Sequence, residues 1–369
     1  MSVASQLVSE YVRTSQVDLR ELIAAHTAKV GVIGLGYVGL PLVAAFGECG
    51  FSCLGVDLDA GKLAALEAGQ SYIGDVPQDS IRALIENRRL SVSGECSLLR
   101  NADVIIICVP TPIDRDKRPD LRSILQAGQA IGQILRPGQL VILESTSYPG
   151  TTEEQLQPLL ERGSSLKAGR DFWLAFSPER IDPGNGAYGL QNTPKVVGGI
   201  DARSTELAAA LYATIVPQVI TVSSPREAEM AKLIENTFRH VNIALANELA
   251  IAAEGMGVDF WEAMEAAASK PFGFMPFYPG PGVGGHCIPV DPHYLVWKAQ
   301  ECEQPLQLIN AAEEINSSMP GRVVERISRE LGRRGQSLQE APILLLGMSY
   351  KRGIGDLRES PALRIFELL

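Results

Sequence analysis

No C-x-x-C pair occurs in the 369 residues, and the six cysteines (Cys49, Cys53, Cys96, Cys108, Cys287 and Cys302) are scattered along the chain. This is the cysteine usage of a reduced compartment, so a cytoplasmic protein is expected rather than a disulfide-stapled secreted one. No apolar run reaches the ~20 residues that a bilayer span requires, and no membrane insertion is expected. The N-terminus, MSVASQLVSEYVRTSQ, lacks the basic region and apolar core of an export signal. An excess of positive charge is also missing. The formal net charge is -10, which repels phosphate backbones, so nucleic acid is not an expected partner. Neither zinc-like ligand spacing nor H-x-x-x-H is present, and adjacent residues point apart, so His286, Cys287, Asp291 and His293 are not expected to hold a metal. Repeats at solenoid periods and low-complexity tracts are absent too.

What is present is enough apolar sequence for buried sheets. Hydrophobic residues make up 46% and charged residues 21%, and this length predicts two or three domains. Short apolar runs at 30–33, 53–56, 104–109, 140–143 and 173–176 alternate with helical patterns such as 38–50 and 121–135. That alternation predicts an α/β fold with a parallel, doubly wound sheet. Leu19, Leu22 and Ile23 have helical spacing, so residues 1–28 are expected to form a helical leader packed on the body. Near residue 223 the pattern becomes helical. Ser224 can cap a helix whose first position is Pro225, and Glu227 completes a capping box. That helix should run to about Gly255, a second should begin at Asp259, and a third, a long connector, should span 306–335. Residues 342–347 are expected to be a strand and 362–369 a helix. One strand and one helix cannot bury both faces of a sheet, so these residues are expected to open an incomplete second α/β domain.

Three groups of residues carry chemistry. Gly34-Leu35-Gly36-Tyr37-Val38-Gly39 follows a strand and opens a helix, as a dinucleotide turn does. Asp57 ends the next strand, where a carboxylate accepts from ribose hydroxyls and disfavours a 2′-phosphate, predicting NAD over NADP. In the Gly- and Pro-rich loop 270–291, Cys287 follows four glycines that allow close backbone approach. An accessible thiol there can act as a nucleophile if a cation favours its thiolate. An inert buried thiol is the ordinary alternative, and the other five cysteines are given that role. Asp291, four residues on, can hold a water or accept a proton. Lys232 and Asn236, spaced i, i+4, share a helix face and together can stabilise an oxyanion. A solvated lysine and a packing asparagine are the plainer alternative.

Together these segments resemble the UDP-glucose/UDP-N-acetylhexosamine dehydrogenase family, in order, from about Lys29 to the end. GLGYVGLPL at 34–42 is similar to its dinucleotide turn. CVPTP at 108–112 is similar to the strand end beside the nicotinamide, and ESTSYPGTT at 144–152 and SPER at 177–180 to its substrate and catalytic loops. EAEMAKLIEN at 227–236 carries its Lys and Asn, GPGVGGHCIPVDP at 280–292 its nucleophile, and LGMSYKRGIGDLRESP at 346–361 the start of its nucleotide-binding C-terminal domain. SPERIDPGN, FYPGPGVGGHCIPVDPHYL and INSSMP resemble the UDP-N-acetylglucosamine 6-dehydrogenase branch. The UDP-glucose branch has an aromatic after SPE, where this chain has Arg180. UDP-N-acetylmannosamine or UDP-glucose remain alternative substrates.

The resemblance implies an N-terminal Rossmann-type NAD domain (29–222), a central helical domain that carries the cysteine loop and makes a homodimer (223–335), and the start of a UDP-binding domain (336–369). It implies a four-electron oxidation of a C6 hydroxyl to a carboxylate, supplying a surface polysaccharide precursor. Cys287 would be the nucleophile, Lys232 and Asn236 the oxyanion holders, Asp291 and Glu179 the candidate bases, and Thr146 a residue that places water. NAD would be held by Gly34, Gly36, Tyr37, Val38, Gly39, Asp57, Pro110, Thr111, Ser145 and Thr146. The UDP-sugar would be held by Glu179, Arg180, Lys232, Asn236, Tyr278, Gly282, Gly284, Gly285, Tyr350 and Lys351, with Arg358 nearby. Two rival functions stay open at this point. A non-catalytic binding protein has no need of the thiol. A two-electron dehydrogenase of the hydroxyacid or 6-phosphogluconate type explains the glycine turn but not the cysteine loop.

Overall fold

A computed structural model describes residues 18–181 and 187–369. The remainder of the expected leader, and the IDPGN end of the motif that begins at Ser177, lie largely outside the described residues. The chain separates into two compact units. Among the described residues, the first comprises 18–111, 121–181 and 187–229, the second 112–120 and 230–369.

The first unit is built on an eight-stranded sheet: β1 (Lys29–Ile33), β2 (Ser52–Val56), β3 (Leu90–Ser93), β4 (Val104–Ile107), β5 (Leu140–Leu143), β6 (Trp173–Phe176), β7 (Lys195–Gly199) and β8 (Val219–Val222). Their spatial order is β3-β2-β1-β4-β5-β6-β7-β8, with the order reversing beside β1. The expected parallel pairing holds with one exception: β7 runs antiparallel to β6. Among the described residues the β6–β7 connection holds only the short turn Leu190–Asn192, and without a crossover helix the chain returns in the opposite direction. The expected strand at 104–109 stops at Ile107, and Cys108 lies just beyond its end.

Strands β4 (VIII) and β5 (LVIL) are buried along their whole length, as in a sheet covered on both faces. Successive side chains alternate between faces. Val104, Ile106, Leu140 and Ile142 therefore pack in one core, and Ile105, Ile107, Val141 and Leu143 in the other. Each such side chain contributes about 1.5–3 kcal/mol on burial. Helix α1 (Leu19–Ala24) buries Leu19 and Ile23, is capped by the Asp18 side chain on Arg20 N, and is held by the Arg203–Asp18 ion pair.

The helix Pro225–Met256 begins as its sequence predicts. Ser224 Oγ accepts from Arg226 N at 3.2 Å and donates to Glu227. In the second unit the helix Phe260–Ala268 is capped by the Asp259 carboxylate. Asp291–Glu301 and Gln307–Arg333 follow, and the latter has Pro320 in its interior. The closing helix spans Pro361–Leu368. Residues 342–347 do not form the expected strand. They have no strand partner among the described residues, and Leu344 and Leu346 are exposed. An apolar run becomes a strand only when a neighbour takes its backbone hydrogen bonds.

Glu229 closes the first unit. Its carboxylate accepts from Gly150 N at 2.5 Å, Thr152 N at 2.9 Å and Thr152 Oγ1 at 2.7 Å. Burial pushes its pKa up to about 7 despite these donors. Because the folded value lies above the unfolded one, stability from this group is full below pH ~4.5 and is lost as pH rises through about 7. Denaturant unfolding at pH 5 and pH 8 should show a loss of stability with rising pH that is larger in the wild type than in Glu229→Gln, by up to about 3 kcal/mol.

Candidate active site

The three glycines of the turn at 34–39 do different work. Gly34 has φ +88°, and a Cβ there would lie 2.4 Å from Cys108 O. A Cβ on Gly39 would lie 1.9 Å from Gly34 O, so this position must stay bare for the helix Gly39–Glu48 to start against the turn. Gly36 faces open space, where a pyrophosphate can meet the backbone. Asp57 is anchored beside it: Oδ2 accepts from Leu35 N at 2.8 Å and Lys62 Nζ at 3.0 Å, and Oδ1 accepts from Asp59 N at 2.9 Å. Burial alone would raise its pKa, but these donors and the Lys62 charge outweigh it and hold the carboxyl below its usual range. An ionised carboxylate at this place fits the ribose of NAD, and the open backbone at Gly36 fits its pyrophosphate. Of the other expected contacts, Tyr37 is half exposed and Thr111 and Ser145 are buried. Ser145 Oγ donates to Val109 O at 2.8 Å, Pro110 is exposed, Val38 and Thr146 are partly so.

In the second unit, Lys232 and Asn236 are buried on one face of their helix. The Asn236 amide donates to the Asp291 carboxylate. Asp291 is buried as well. Burial pushes its pKa up to about 6, opposed by the Lys232 charge and the Asn236 hydrogen bond. It is therefore mostly ionised at neutral pH, yet basic enough to take a proton. Asp291 opens its own helix, and its N–H donates to Cys287 O at 2.8 Å while Val290 N donates to the same oxygen at 3.2 Å. The Cys287 backbone is thus tied to the residue beside Lys232 and Asn236, and the Cys287 side chain is exposed.

The glycines before Cys287 are spaced by their neighbours. A Cβ on Gly284 would lie 2.5 Å from Tyr350 Cβ, and one on Gly285 (φ +89°) 2.8 Å from the Tyr350 ring. Gly285 N donates to Arg358 O at 3.0 Å. Gly282 (φ +130°) lies against Pro361 and Asn316 O. Further back, Gly280 N donates to Asn247 Oδ1 at 2.8 Å, Asn247 Nδ2 to Asn316 Oδ1 at 3.0 Å, and Asn316 Nδ2 to His240 O at 3.1 Å. Tyr278 stacks on Trp261 with centroids 5.9 Å apart. The segments at 280–287 and 350–361, far apart in sequence, are therefore packed together. Lys351 is partly buried in the same segment.

At the carboxyl edge of the first unit's sheet, Glu179 Oε1 accepts from Arg180 N at 2.6 Å and from Ile181 N, and Arg180 Nη1 donates to Pro194 O at 2.7 Å. Cys108 Sγ lies 3.6 Å from a Glu144 oxygen. The buried position expected of five cysteines holds for Cys53, whose thiol is pushed up by burial; Cys49, Cys96 and Cys108 are partly buried. It does not hold for Cys302, which is exposed at the end of its helix.

Comparison with known proteins decides the family. Residues 28–216 match the NAD binding domain of the UDP-glucose/GDP-mannose dehydrogenase family, and residues 226–318 match its central domain. The chain belongs to this family. It is an NAD-dependent dehydrogenase. It is 41% identical over 338 residues to a UDP-N-acetyl-D-glucosamine 6-dehydrogenase of Pseudomonas aeruginosa, covering 91% of this chain and 79% of the relative. It is 37% identical over 342 residues to a UDP-N-acetyl-D-mannosamine dehydrogenase of Pyrococcus horikoshii, covering 92% and 80%. A solved structure of the UDP-D-ManNAc dehydrogenase from Pyrococcus horikoshii superposes with a TM-score of 0.87 at 36% identity, covering 92% of this chain and 80% of that one.

Three buried residues of this dehydrogenase escaped notice in the sequence: Glu144, Lys195 and Tyr212. Each had a signal. Glu144 ends the apolar run VILE, and Lys195 begins the apolar run KVVGG; a charged residue abutting a buried strand needs a partner.

The glycine assignments predict a contrast. Gly36→Ala should change unfolding free energy by less than about 0.5 kcal/mol and weaken NAD binding by about tenfold or more, measured by calorimetry. Gly39→Ala should cost about 1–3 kcal/mol of stability in denaturant unfolding.

Proposed function

We propose that this chain oxidises the C6 hydroxyl of a UDP-N-acetylhexosamine to the carboxylate, with two NAD⁺ consumed per sugar. The observation that carries this is the buried Lys232–Asn236–Asp291 group fastened to the backbone of an exposed Cys287. A two-electron alcohol dehydrogenase needs a base but no thiol. The turn at 34–39 and Asp57 would hold NAD⁺, which would supply the hydride acceptor for each oxidation. Asp291 takes the hydroxyl proton through a water, and the Lys232 ammonium stabilises the alkoxide. The Cys287 thiolate adds to the aldehyde, giving a thiohemiacetal, whose oxidation leaves a thioester. Water then adds to the acyl carbon, its proton going to Glu179, and sulfur leaves as the thiolate. Lys232 and Asn236 donate to the oxyanion, where a fixed donor is worth about 3 kcal/mol. Thr146 places the water. Arg180, Tyr278, Gly282, Gly284, Gly285, Tyr350 and Lys351 hold the UDP-sugar.

UDP-GlcNAc is the first choice of substrate and UDP-ManNAc the second, because relatives with both names match along nearly the same length. A reaction in the cytoplasm is proposed from the scattered cysteine spacing of the sequence. NADH release measured with UDP-GlcNAc, UDP-ManNAc and UDP-glucose should give two NADH per sugar for one N-acetylhexosamine. Cys287→Ser should retain slow alcohol oxidation in a single turnover, with no thioester by intact mass. Full steady-state acid formation by that variant would remove the covalent role.

A homodimer is also proposed. Ile234, Phe238, Leu245 and Leu249 are exposed large apolar side chains on the helix Pro225–Met256. Their spacings of four, seven and four residues line one face, a stripe that a second copy can cover. Light scattering should give twice the chain mass for wild type, and the monomer mass for Phe238→Asp/Leu245→Asp.

A further inference from the structure

Lys195, Glu144 and Tyr212, buried at the carboxyl edge of the sheet, take part in no step above. Lys195 is the first residue of β7. Because β7 runs against β6, its start arrives at the edge where β4, β5 and β6 finish. The lysine is 3% exposed. Its ammonium pairs with Glu144, stands 3.5 Å from Oε2 of Glu179, and lies 5.0 Å from the centroid of the Tyr212 ring. Tyr212 OH donates to Glu144 Oε1 at 2.9 Å, and Cys108 Sγ to Glu144 Oε2 at 3.6 Å.

The charges do not cancel. Burial works against the charged lysine, but Glu144 and Glu179 outweigh it and raise its pKa, so it stays an ammonium. Burial raises Glu144, with Lys195 opposing. One ammonium and one carboxylate would already form a closed pair, with the phenol and thiol filling the remaining acceptor sites of Glu144. Glu179 is the additional carboxylate. Its Oε1 is taken by the Arg180 and Ile181 backbone. Its Oε2 is buried, has no hydrogen-bond partner among the described residues, and faces the ammonium.

We propose that Lys195 is a positioning residue: gripped by Glu144 and Tyr212, it holds Oε2 of Glu179 in place to take the proton of the water that resolves the thioester. Glu144 competes with Glu179 for the same ammonium and so tempers its effect. This rests on the role of Glu179 proposed above.

The two partners of Lys195 predict shifts of opposite sign. Lys195→Met/Glu144→Gln removes both charges of a buried pair, a replacement that folded proteins commonly tolerate. With the UDP-sugar that the wild type oxidises, this variant should keep the first burst of NADH, lose about tenfold in kcat with little change in KM, and accumulate thioester by intact mass. The acid limb of its kcat–pH profile should move up by about one unit. Glu144→Gln alone leaves the ammonium to Glu179, and its acid limb should move down. A purely structural cluster would shift neither limb, or both the same way, with no accumulated thioester, and that result would overturn the proposal. A wild type that forms no thioester under any trapping condition would instead count against the proposed chemistry itself.

Discussion

The hydrogen bond from Asn236 to Asp291 is the joint on which the second unit's chemistry hangs. It ties a residue well inside a 32-residue helix to the first residue of another helix. A carboxylate is favoured at that end by the unpaired backbone N–H groups. The same residue's own N–H reaches back to Cys287 O. A single aspartate thus joins the amide, the amine of Lys232 and the backbone of Cys287. The long helix has its shape from its own hydrogen bonds, whereas the glycine-rich turn has none of that regularity and must be pinned from outside. Tyr350, Pro361 and the Asn247–Asn316 amide pair do the rest of that pinning.

In the first unit the governing constraint is direction. Parallel strands all end at one edge, and a doubly wound sheet gathers its functional groups there. Gly34, Cys108, Glu144 and Ser177 follow β1, β4, β5 and β6 in turn. The reversed strand β7 adds a residue from its beginning rather than its end. Burial at this edge is deep enough that charges must be matched by side chains, which is why a lysine, two glutamates, a tyrosine and a thiol occur together.

The interior strands were legible because β4 and β5 are apolar at every position, and the dinucleotide turn because glycine spacing reports backbone geometry directly. Helix starts at Ser224 and Asp259 were legible because capping is local. Strands β3 and β8 were not, since LSVS and VITV carry only partial burial and no distinct period. Residues 342–347 show the converse: they have an apolar strand pattern, but pairing depends on a neighbour that the segment itself does not encode. Lys232, Asn236, Cys287 and Asp291 stood out by residue type and spacing. Lys195 and Glu144 did not, because 51 residues of sequence separate two groups that only the reversed strand brings together.

Pro320 sits inside the helix Gln307–Arg333 and has no N–H to offer the carbonyl four residues earlier. That carbonyl belongs to Asn316, and it is the one against which Gly282 lies. An imino acid in one segment and a residue without a side chain in another are therefore two halves of a single fitting. The first leaves the Asn316 oxygen without its intrahelical donor, and the second, with φ at +130°, lets the glycine-rich turn bend past that oxygen.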